Sequence, residues 1–191
     1  MKLLEEYITK YGNVPNDNVL KVDSFLNHQI DADLMMKMAE DLQAHFKDKP
    51  INKIVTIETS GIAPSVFLGY LLKVPVVFMK KNSSKIMTDD NYRTTVHSFT
   101  KNIDYDLICS TKYLSESDHV LFIDDFMANG EACLGAVRIL EQANATLEGV
   151  GIIIEKSFQN GRKKIEDLGY DIYSLARVQS LKKGQIQFVE E

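Results

Sequence analysis

Residues 120–132 read VLFIDDFMANGEA, an apolar run that ends in two adjacent acids and a short turn of small and polar residues. A strand that is buried on both faces of a parallel sheet reads as a continuous apolar run, and residues 120–123 have this pattern. Helical spacing of apolar residues across 131–143 predicts that a helix begins directly after the turn. We therefore predict that Asp124 and Asp125 lie where a buried strand leads into a helix N-terminus. In open α/β sheets such junctions bind ligands, because the first turn of the helix offers unpaired N–H groups and the positive end of its dipole.

Strand and helix patterns alternate along most of the chain. Strand-like apolar runs occupy residues 53–58, 74–80, 106–111, 120–125 and 147–156. Helical periodicity marks residues 2–11, 31–47, 65–73 and 131–143. Alternation of this kind predicts an α/β fold, in which a mostly parallel twisted sheet has helices on both faces.

Two regions interrupt the regular alternation. Residues 13–30 are irregular but contain apolar side chains, so we expect them to pack on the rest of the protein. Residues 81–105 form a polar insertion that is too long for an ordinary loop and is more typical of an arm or lid. With 191 residues, of which 45% are hydrophobic, the chain has enough material for one sizeable core, and we predict a single domain.

The composition argues against several classes of function. The formal net charge of −5 disfavours a nucleic-acid-binding protein, because such proteins carry a basic surface. The two cysteines, Cys109 and Cys133, and the four histidines show none of the spacings of metal ligands, so we predict no resident metal site. The N-terminal segment contains acids and lacks the cleavage site of a signal peptide, and no apolar run is long enough to cross a bilayer. We therefore expect a cytoplasmic protein that contacts no membrane.

The acid pair and the turn after it predict a phosphate-containing ligand. Two carboxylates at the end of a buried strand are costly unless a cation or a hydrogen-bond donor lies above them, although an acid pair can also be a simple exposed turn. Gly130 allows close approach of the backbone, so residues 128–132 are suited to form a nest for a phosphate group. A second strand-to-helix junction, IETSGIAPSVFLG (57–69), places Ser60 and Gly61 where backbone N–H groups can meet another anion. A ribose 5-phosphate has the expected shape for the first junction.

An apolar strand followed by two acids, two apolar residues and a small glycine-containing loop resembles the signature of the type I phosphoribosyltransferases. The resemblance implies that Asp124 and Asp125 are catalytic and act on phosphoribosyl pyrophosphate accompanied by Mg²⁺. It implies a binding loop for the 5′-phosphate, made of Ala128, Asn129, Gly130, Glu131 and Ala132. It also implies a pyrophosphate loop, made of Thr59, Ser60 and Gly61. Many members have a threonine at the place of Ala132, so here the backbone N–H groups carry more of the phosphate binding.

Four segments in the same order extend the resemblance over nearly the whole chain: NVLKVDSFLNHQID, ETSGIAPS, FMANGEA and IEKSFQNGR. They are most similar to bacterial members of the family that act on xanthine, which implies that xanthine and phosphoribosyl pyrophosphate are the substrates. By this likeness Leu20, Asn27 and Lys156 contact the purine, and Phe158 offers a stacking face. Asn27 could instead cap the helix near Asp31 or satisfy a local turn, and Lys156 could instead pair with Glu155 or the acid pair.

The resemblance also implies an organisation around the site. It predicts a hood made of residues 1–30 and 157–191, a mobile lid made of residues 81–105, and a homodimer. The lid would be cationic, through Lys80, Lys81, Lys85, Arg93 and Lys101, with Tyr92 among them. Two other functions stay open: a phosphoribosyltransferase for guanine, hypoxanthine or adenine, and a non-catalytic regulator that binds phosphoribosyl pyrophosphate and is related to the purine repressor.

Overall fold

The computed structural model describes residues 1–82, 90–98 and 103–190. Lys85 and Lys101, predicted as lid cations, lie outside these ranges. The strands are β1 (Asn13–Asn16), β2 (Val19–Lys21), β3 (Lys53–Ile57), β4 (Val76–Asn82), β5 (Asn91–Ser98), β6 (Ile103–Ser110), β7 (His119–Met127), β8 (Thr146–Lys156), β9 (Ile172–Ser180) and β10 (Gln187–Phe188). The helices are α1 (Lys2–Tyr11), α2 (Ala32–His45), α3 (Ile62–Leu72), α4 (Glu131–Gln142) and α5 (Gly161–Glu166). No helix within the described residues is long and apolar enough to span a membrane.

Eight of these strands form one sheet in the order β10-β9-β8-β7-β3-β4-β6-β5. The five strands from β9 to β4 are parallel, whereas β10 at one edge and the β5–β6 hairpin at the other are antiparallel. The mostly parallel α/β fold predicted from the sequence is therefore confirmed, as are its five strands and four helices. Strand β9 was not predicted, and it lies within the range expected for the hood.

The connections after β3 and β7 lead in opposite directions along the sheet, and this point determines where a site can form. Helix α3 connects β3 to β4 on one side, whereas α4 connects β7 to β8 on the other side. The two helices cover opposite faces, since Leu68 of α3 shares a core with Leu121, and Ile139 of α4 shares a second core with Phe122. The loops after β3 and β7 consequently diverge at a topological switch point, which is where open α/β sheets bind ligands.

Residues 13–30 pack on the protein, as predicted from their apolar side chains. They form the β1–β2 hairpin and a π-helical turn, Asp23–Asn27, that precedes α2. Leu20, Phe25 and Leu26 are buried in the core beneath α2. The side chain of Asp31 caps α2 by accepting a hydrogen bond from the Leu34 N–H at 3.0 Å, so the interpretation of Asn27 as this cap is wrong.

Helix α2 is held to the sheet by a tight contact between Phe46 and Gly149. The ring of Phe46 follows the end of α2 and is 1% exposed. A Cβ atom at Gly149 of β8 would lie 2.5 Å from Cε1 of this ring. The absence of a side chain at position 149 therefore lets the ring lie directly on the strand.

We expect Gly149→Ala to lower the free energy of unfolding by about 1–3 kcal/mol, because the added methyl group overpacks a rigid contact. Phe46→Leu removes the ring atoms that the methyl group would meet. In the double variant, Phe46→Leu with Gly149→Ala, we expect a loss smaller than the sum of the two single losses. Urea unfolding of the four proteins measures this coupling, and additive losses would show that the two residues do not interact in this way.

Candidate active site

A cavity of about 640 Å³ opens at the carboxyl ends of β7 and β8. Its wall is assembled from the β1–β2 hairpin and π-helical turn, the β5–β6 hairpin, the loop after β7, and the end of β8. Most of the residues predicted as site residues line it: Leu20, Asn27, Asp124, the loop 128–132, and Lys156. Segments that are distant in the sequence therefore meet in one concave space, as a ligand of two chemical parts requires.

The predicted pyrophosphate loop and Asp125 do not form part of this wall, but they lie directly beside it. A Cβ atom at Gly61 would lie 3.3 Å from Oδ1 of Asp124 and 2.2 Å from Oγ1 of Thr56. The loop that contains Thr59, Ser60 and Gly61 thus packs against Asp124 of the neighbouring strand, and only a glycine fits there. The buried hydroxyl of Ser65 donates to the carbonyl of Gly61 at 2.7 Å and fixes the loop to the first turn of α3.

Asp124 is a buried carboxylate and not part of an exposed turn. Its side chain is 8% exposed, and its Oδ1 accepts a hydrogen bond from the Asp125 N–H at 3.1 Å. Burial, followed by the charge of Asp125, raises the pKa of Asp124 well above its ordinary value. Burial also raises the pKa of Asp125. Both acids therefore gain from a cation nearby, which is the condition that the sequence analysis set for them.

The loop 128–132 is held in place by a backbone contact that the sequence did not predict. Gly130 has a left-handed conformation with φ = 81° and precedes α4. A Cβ atom at Gly130 would lie 2.9 Å from Cα of Gly161, and the Gly161 N–H donates to the carbonyl of Ala128 at 3.1 Å. The missing side chain of Gly130, which we assigned to approach of a ligand, therefore also serves the packing of α5 against the loop.

Helix α5 is in turn anchored to β8 by a buried ion pair. Arg162 donates to Glu155 through Nε at 3.1 Å and through Nη2 at 2.6 Å, and Ser174 Oγ donates to the same carboxylate at 2.5 Å. Burial opposes ionisation of Glu155, but the hydrogen bonds from Arg162 and the serines outweigh it and lower its pKa. The end of β8 and the loop after β7 consequently form one connected unit.

Lys156 faces the cavity and does not pair with Glu155 or the acid pair. Its Nζ donates to the carbonyl of Asn18 at 2.7 Å, which links the end of β8 to the β1–β2 hairpin. Burial lowers the pKa of Lys156. The aromatic ring in the cavity wall near this lysine is Phe126, with its centroid 5.7 Å from Nζ. Phe158, which we predicted as a stacking face, is 40% exposed and is not part of the wall.

The β5–β6 hairpin brings His97, Ser98 and Tyr105 to the cavity, and the sequence analysis named none of them as site residues. Burial, followed by the charge of Asp124, raises the pKa of Tyr105. Nζ of Lys81 lies 5.6 Å from the centroid of the Tyr105 ring. The alternation of residues 91–98 could have indicated a strand, but the approach of this hairpin depends on the pairing of β4 with β6.

Two residues that we predicted as cations of the lid, Arg93 and Lys81, make different contacts. Arg93 forms an ion pair with Asp106 across the β5–β6 hairpin. The Lys81 N–H donates at 2.7 Å to Oε1 of Glu58, which precedes the predicted pyrophosphate loop. Lys81 therefore stands between that loop and the hairpin. Within residues 1–82, 90–98 and 103–190, no group of three or more histidine, cysteine or acidic side chains is arranged to hold a metal ion.

Comparison with known proteins decides the family. The sequence matches the family described as "Phosphoribosyl transferase domain" over residues 21–187. The chain belongs to this family. Two curated relatives of this phosphoribosyl transferase are each 53% identical to it and are covered completely, as is this chain: "Xanthine phosphoribosyltransferase 1" of Clostridium botulinum and "Xanthine phosphoribosyltransferase" of Listeria innocua.

Solved structures show the same fold at much lower sequence identity. The adenine phosphoribosyltransferase from Thermoanaerobacter pseudethanolicus has a TM-score of 0.76 at 21% identity, and the match covers 91% of this chain and 99% of that one. The enzyme from Giardia lamblia, complexed with 9-deazaadenine, also has a TM-score of 0.76, at 20% identity and with 91% and 97% of the chains covered. The type I phosphoribosyltransferase fold predicted from the sequence is thereby confirmed.

Because Asp124 is buried, we predict that its carboxylate lowers the free energy of unfolding near neutral pH. The pKa of Asp124 is higher in the folded protein than in the unfolded chain. Below about pH 4 the side chain is protonated in both states, so its contribution to stability is fully present there. This contribution is lost as the pH rises through the folded pKa. We expect Asp124→Asn to raise the free energy of unfolding at pH 7–8 by about 0.5–2 kcal/mol, a range typical of single stabilising substitutions. The gain should vanish below about pH 4.

Chemical unfolding between pH 3.5 and 8 measures this difference. Asp48→Asn is a matched control, since Asp48 is exposed and the chemical change is the same. A variant at position 124 that is no more stable than the wild type at pH 8 would contradict the burial argument.

Proposed function

We propose that this protein is a xanthine phosphoribosyltransferase, which transfers the 5-phosphoribosyl group of phosphoribosyl pyrophosphate to xanthine and releases xanthosine 5′-monophosphate and pyrophosphate. The observation that carries this proposal is the wall of the cavity, where Lys156 and Asn27 lie together with Asp124 and the loop 128–132. Full-length relatives that are 53% identical and bear this enzyme name support it. The reaction is a step of purine salvage.

The two parts of the cavity suit the two parts of the product. The loop 128–132 includes the N-terminus of α4, which begins at Glu131, and binds the 5′-phosphate through backbone N–H groups. The loop of Thr59, Ser60 and Gly61 binds the pyrophosphate on the other side of Asp124. In this proposal the bond that breaks, between the anomeric carbon and the pyrophosphate, lies next to the acid pair.

Asp124 and Asp125 act by electrostatics, without forming a covalent intermediate. They hold the ribose hydroxyls and stabilise the positive charge that grows on the ribosyl group as pyrophosphate leaves. The raised pKa values of both residues support this role, because a developing positive charge stabilises the ionised carboxylates that burial disfavours.

The acid pair also fits a Mg²⁺ ion that arrives with phosphoribosyl pyrophosphate. Proteins usually hold Mg²⁺ through one or two carboxylates together with substrate phosphates, and the buried carboxylate of Asp124 with the half-buried carboxylate of Asp125 matches that donor set. Asp124 and Asp125 would hold the ribose hydroxyls directly or through this ion. When bound, the ion supplies positive charge that favours departure of pyrophosphate.

Xanthine is recognised at the end of β8 and the β1–β2 side of the cavity. Lys156 donates to one oxo group, the amide of Asn27 donates to the second, and Leu20 covers the ring. The contact of Lys156 with the carbonyl of Asn18 supports this reading, because it ties the purine-facing strand to the segment that carries Leu20 and Asn27. A lysine here also favours the anionic form of xanthine.

The hood and the lid complete the enclosure. In this proposal the lid is residues 81–105, and the described part of it already contributes His97, Ser98 and Tyr105 to the cavity wall. Its closure excludes water from the reactive ribosyl cation. The hood consists of residues 1–30 and of the parts of 157–191 outside β9 and β10, which belong to the sheet.

Specificity constants for xanthine, guanine, hypoxanthine and adenine, measured with phosphoribosyl pyrophosphate, test the function. We expect the highest value for xanthine. A higher value for another base would contradict the substrate assignment, and binding of phosphoribosyl pyrophosphate without turnover of any base would indicate a regulator.

Asn27→Leu tests the assignment of the second oxo group. We expect it to remove about 1–3 kcal/mol of transition-state stabilisation for xanthine, since a polar partner is left unpaired, and to affect residual hypoxanthine turnover much less. Gln29→Leu also replaces an amide side chain by leucine, but at a position that does not line the cavity, and it should leave both activities unchanged. An equal fall for the two bases in Asn27→Leu would mean that Asn27 does not read the purine.

A homodimer through α3 is part of the same proposal. This helix, IAPSVFLGYLL, contains no charged residue, although surface helices normally have a polar face. Val66 and Tyr70 are one turn apart and are 51% and 65% exposed. A two-fold dimer that buries this face is the commonest arrangement for such a surface, and it would place the partner next to the pyrophosphate loop.

We expect the protein to sediment as a dimer in analytical ultracentrifugation and Tyr70→Glu to shift it towards the monomer, because a charge would be buried in an apolar interface. Tyr113→Glu is the matched control, since Tyr113 is 61% exposed and lies on the loop after β6. A monomeric wild type, or dissociation by both variants alike, would contradict an interface at α3.

A further inference from the structure

The phosphate loop contains a carboxylate that is paired with a lysine from α5. Glu131 is the first residue of α4 and forms part of the cavity wall. Its Oε1 lies 2.6 Å from Nζ of Lys164, and the two side chains are 27% and 38% exposed. A carboxylate is an unexpected residue in a loop that binds a phosphate dianion, because the two negative charges repel each other.

The position of Glu131 makes this repulsion direct. A helix N-terminus attracts negative charge through its dipole and its unpaired N–H groups, so an unpaired Glu131 carboxylate and a phosphate are drawn to the same place. The ion pair with Lys164 holds the carboxylate on the side of α5. It also cancels the charge of the carboxylate when the phosphate arrives.

Lys164 acts from behind the loop and not from inside the cavity. It is not among the residues of the cavity wall. Its helix is fixed to the loop by the contact of Gly161 with Gly130 and to β8 by the ion pair of Arg162 with Glu155. Helix α5 therefore holds the ammonium group of Lys164 in a fixed position next to Glu131.

The other charges of the wall cannot replace Lys164. Among the described residues, the carboxylates and ammonium groups that line the cavity are those of Asp124, Glu131 and Lys156. Lys156 donates to the carbonyl of Asn18 on the purine side. Without Lys164, the wall would therefore present two carboxylates to an anionic ligand, and its one ammonium group would be that of Lys156, which is bonded to Asn18.

We propose that Lys164 is a positioning residue of the 5′-phosphate site, which neutralises and orients Glu131 so that the loop 128–132 can accept a phosphate. The inference rests on the proposed function, in which this loop binds the 5′-phosphate. It assigns Lys164 an effect on affinity for phosphoribosyl compounds and none on the chemical step.

Lys164→Gln tests the inference in steady-state kinetics and in calorimetry with ribose 5-phosphate, which has the 5′-phosphate but no pyrophosphate. We expect the KM for phosphoribosyl pyrophosphate and the Kd of ribose 5-phosphate to rise about 3- to 10-fold at low ionic strength, and less at high salt, with kcat and the KM for xanthine unchanged. Lys164→Arg should retain wild-type values, because it preserves the ion pair.

The double variant Glu131→Gln with Lys164→Gln separates a positioning role from a direct one. We expect it to regain the affinity of the wild type, since the carboxylate that needs a partner has been removed. The control is Lys163→Gln on the same helix, because Lys163 is 76% exposed and pairs with Asp167. It should have no effect.

Three results would overturn the inference alone: wild-type affinity in Lys164→Gln, no recovery in the double variant, or an equal loss in Lys163→Gln. No recovery would mean that Lys164 contacts the phosphate itself. A wild-type protein that binds neither ribose 5-phosphate nor phosphoribosyl pyrophosphate would overturn the proposed function, and this inference with it.

Discussion

The carboxylate of Asp124, buried at the carboxyl end of β7, is the constraint on which the rest of the site depends. A buried negative charge is unfavourable unless positive charge or hydrogen-bond donors face it, and the raised pKa of Asp124 expresses that cost. The fold brings the loop after β3 against this carboxylate through Gly61. The site therefore exists in a state that a cationic or cation-carrying ligand stabilises, which is what a reaction with a positively charged transition state requires.

The end of β8 organises the remainder of the cavity. Successive residues of a strand point to opposite faces, and here Glu155 holds α5 whereas Lys156 holds the β1–β2 hairpin. The contact of Gly161 with Gly130 then fixes the loop 128–132 against α5. One strand end thus fixes the distance between the proposed purine site and the proposed 5′-phosphate site.

Helix α3 connects the chemistry to the surface of the molecule. It begins directly after the pyrophosphate loop, and Ser65 binds the carbonyl of Gly61 from its first turn. The exposed side of the same helix is apolar at Val66 and Tyr70. A partner that covers this side would restrict the helix and, through Ser65, the loop that faces Asp124. Assembly and the geometry of the site are therefore expected to be linked in this family member.

The sequence by itself determined the α/β class, four of the five parallel strands and the residue types at the two junctions, because each of these follows from a short local pattern. The apolar run before Asp124 and the glycine-containing turn after it needed no knowledge of distant residues. Strand β9 escaped prediction because its residues mix buried and half-buried positions without clear alternation. Tertiary structure alone decided that Gly61 meets Asp124, that Gly130 meets Gly161, that Tyr105 reaches the cavity, and that Lys164 pairs with Glu131. These contacts join residues that lie up to 63 positions apart in the chain, from Gly61 to Asp124. They are fixed by the order of the strands in the sheet, and a local pattern of apolar residues contains no information about that order.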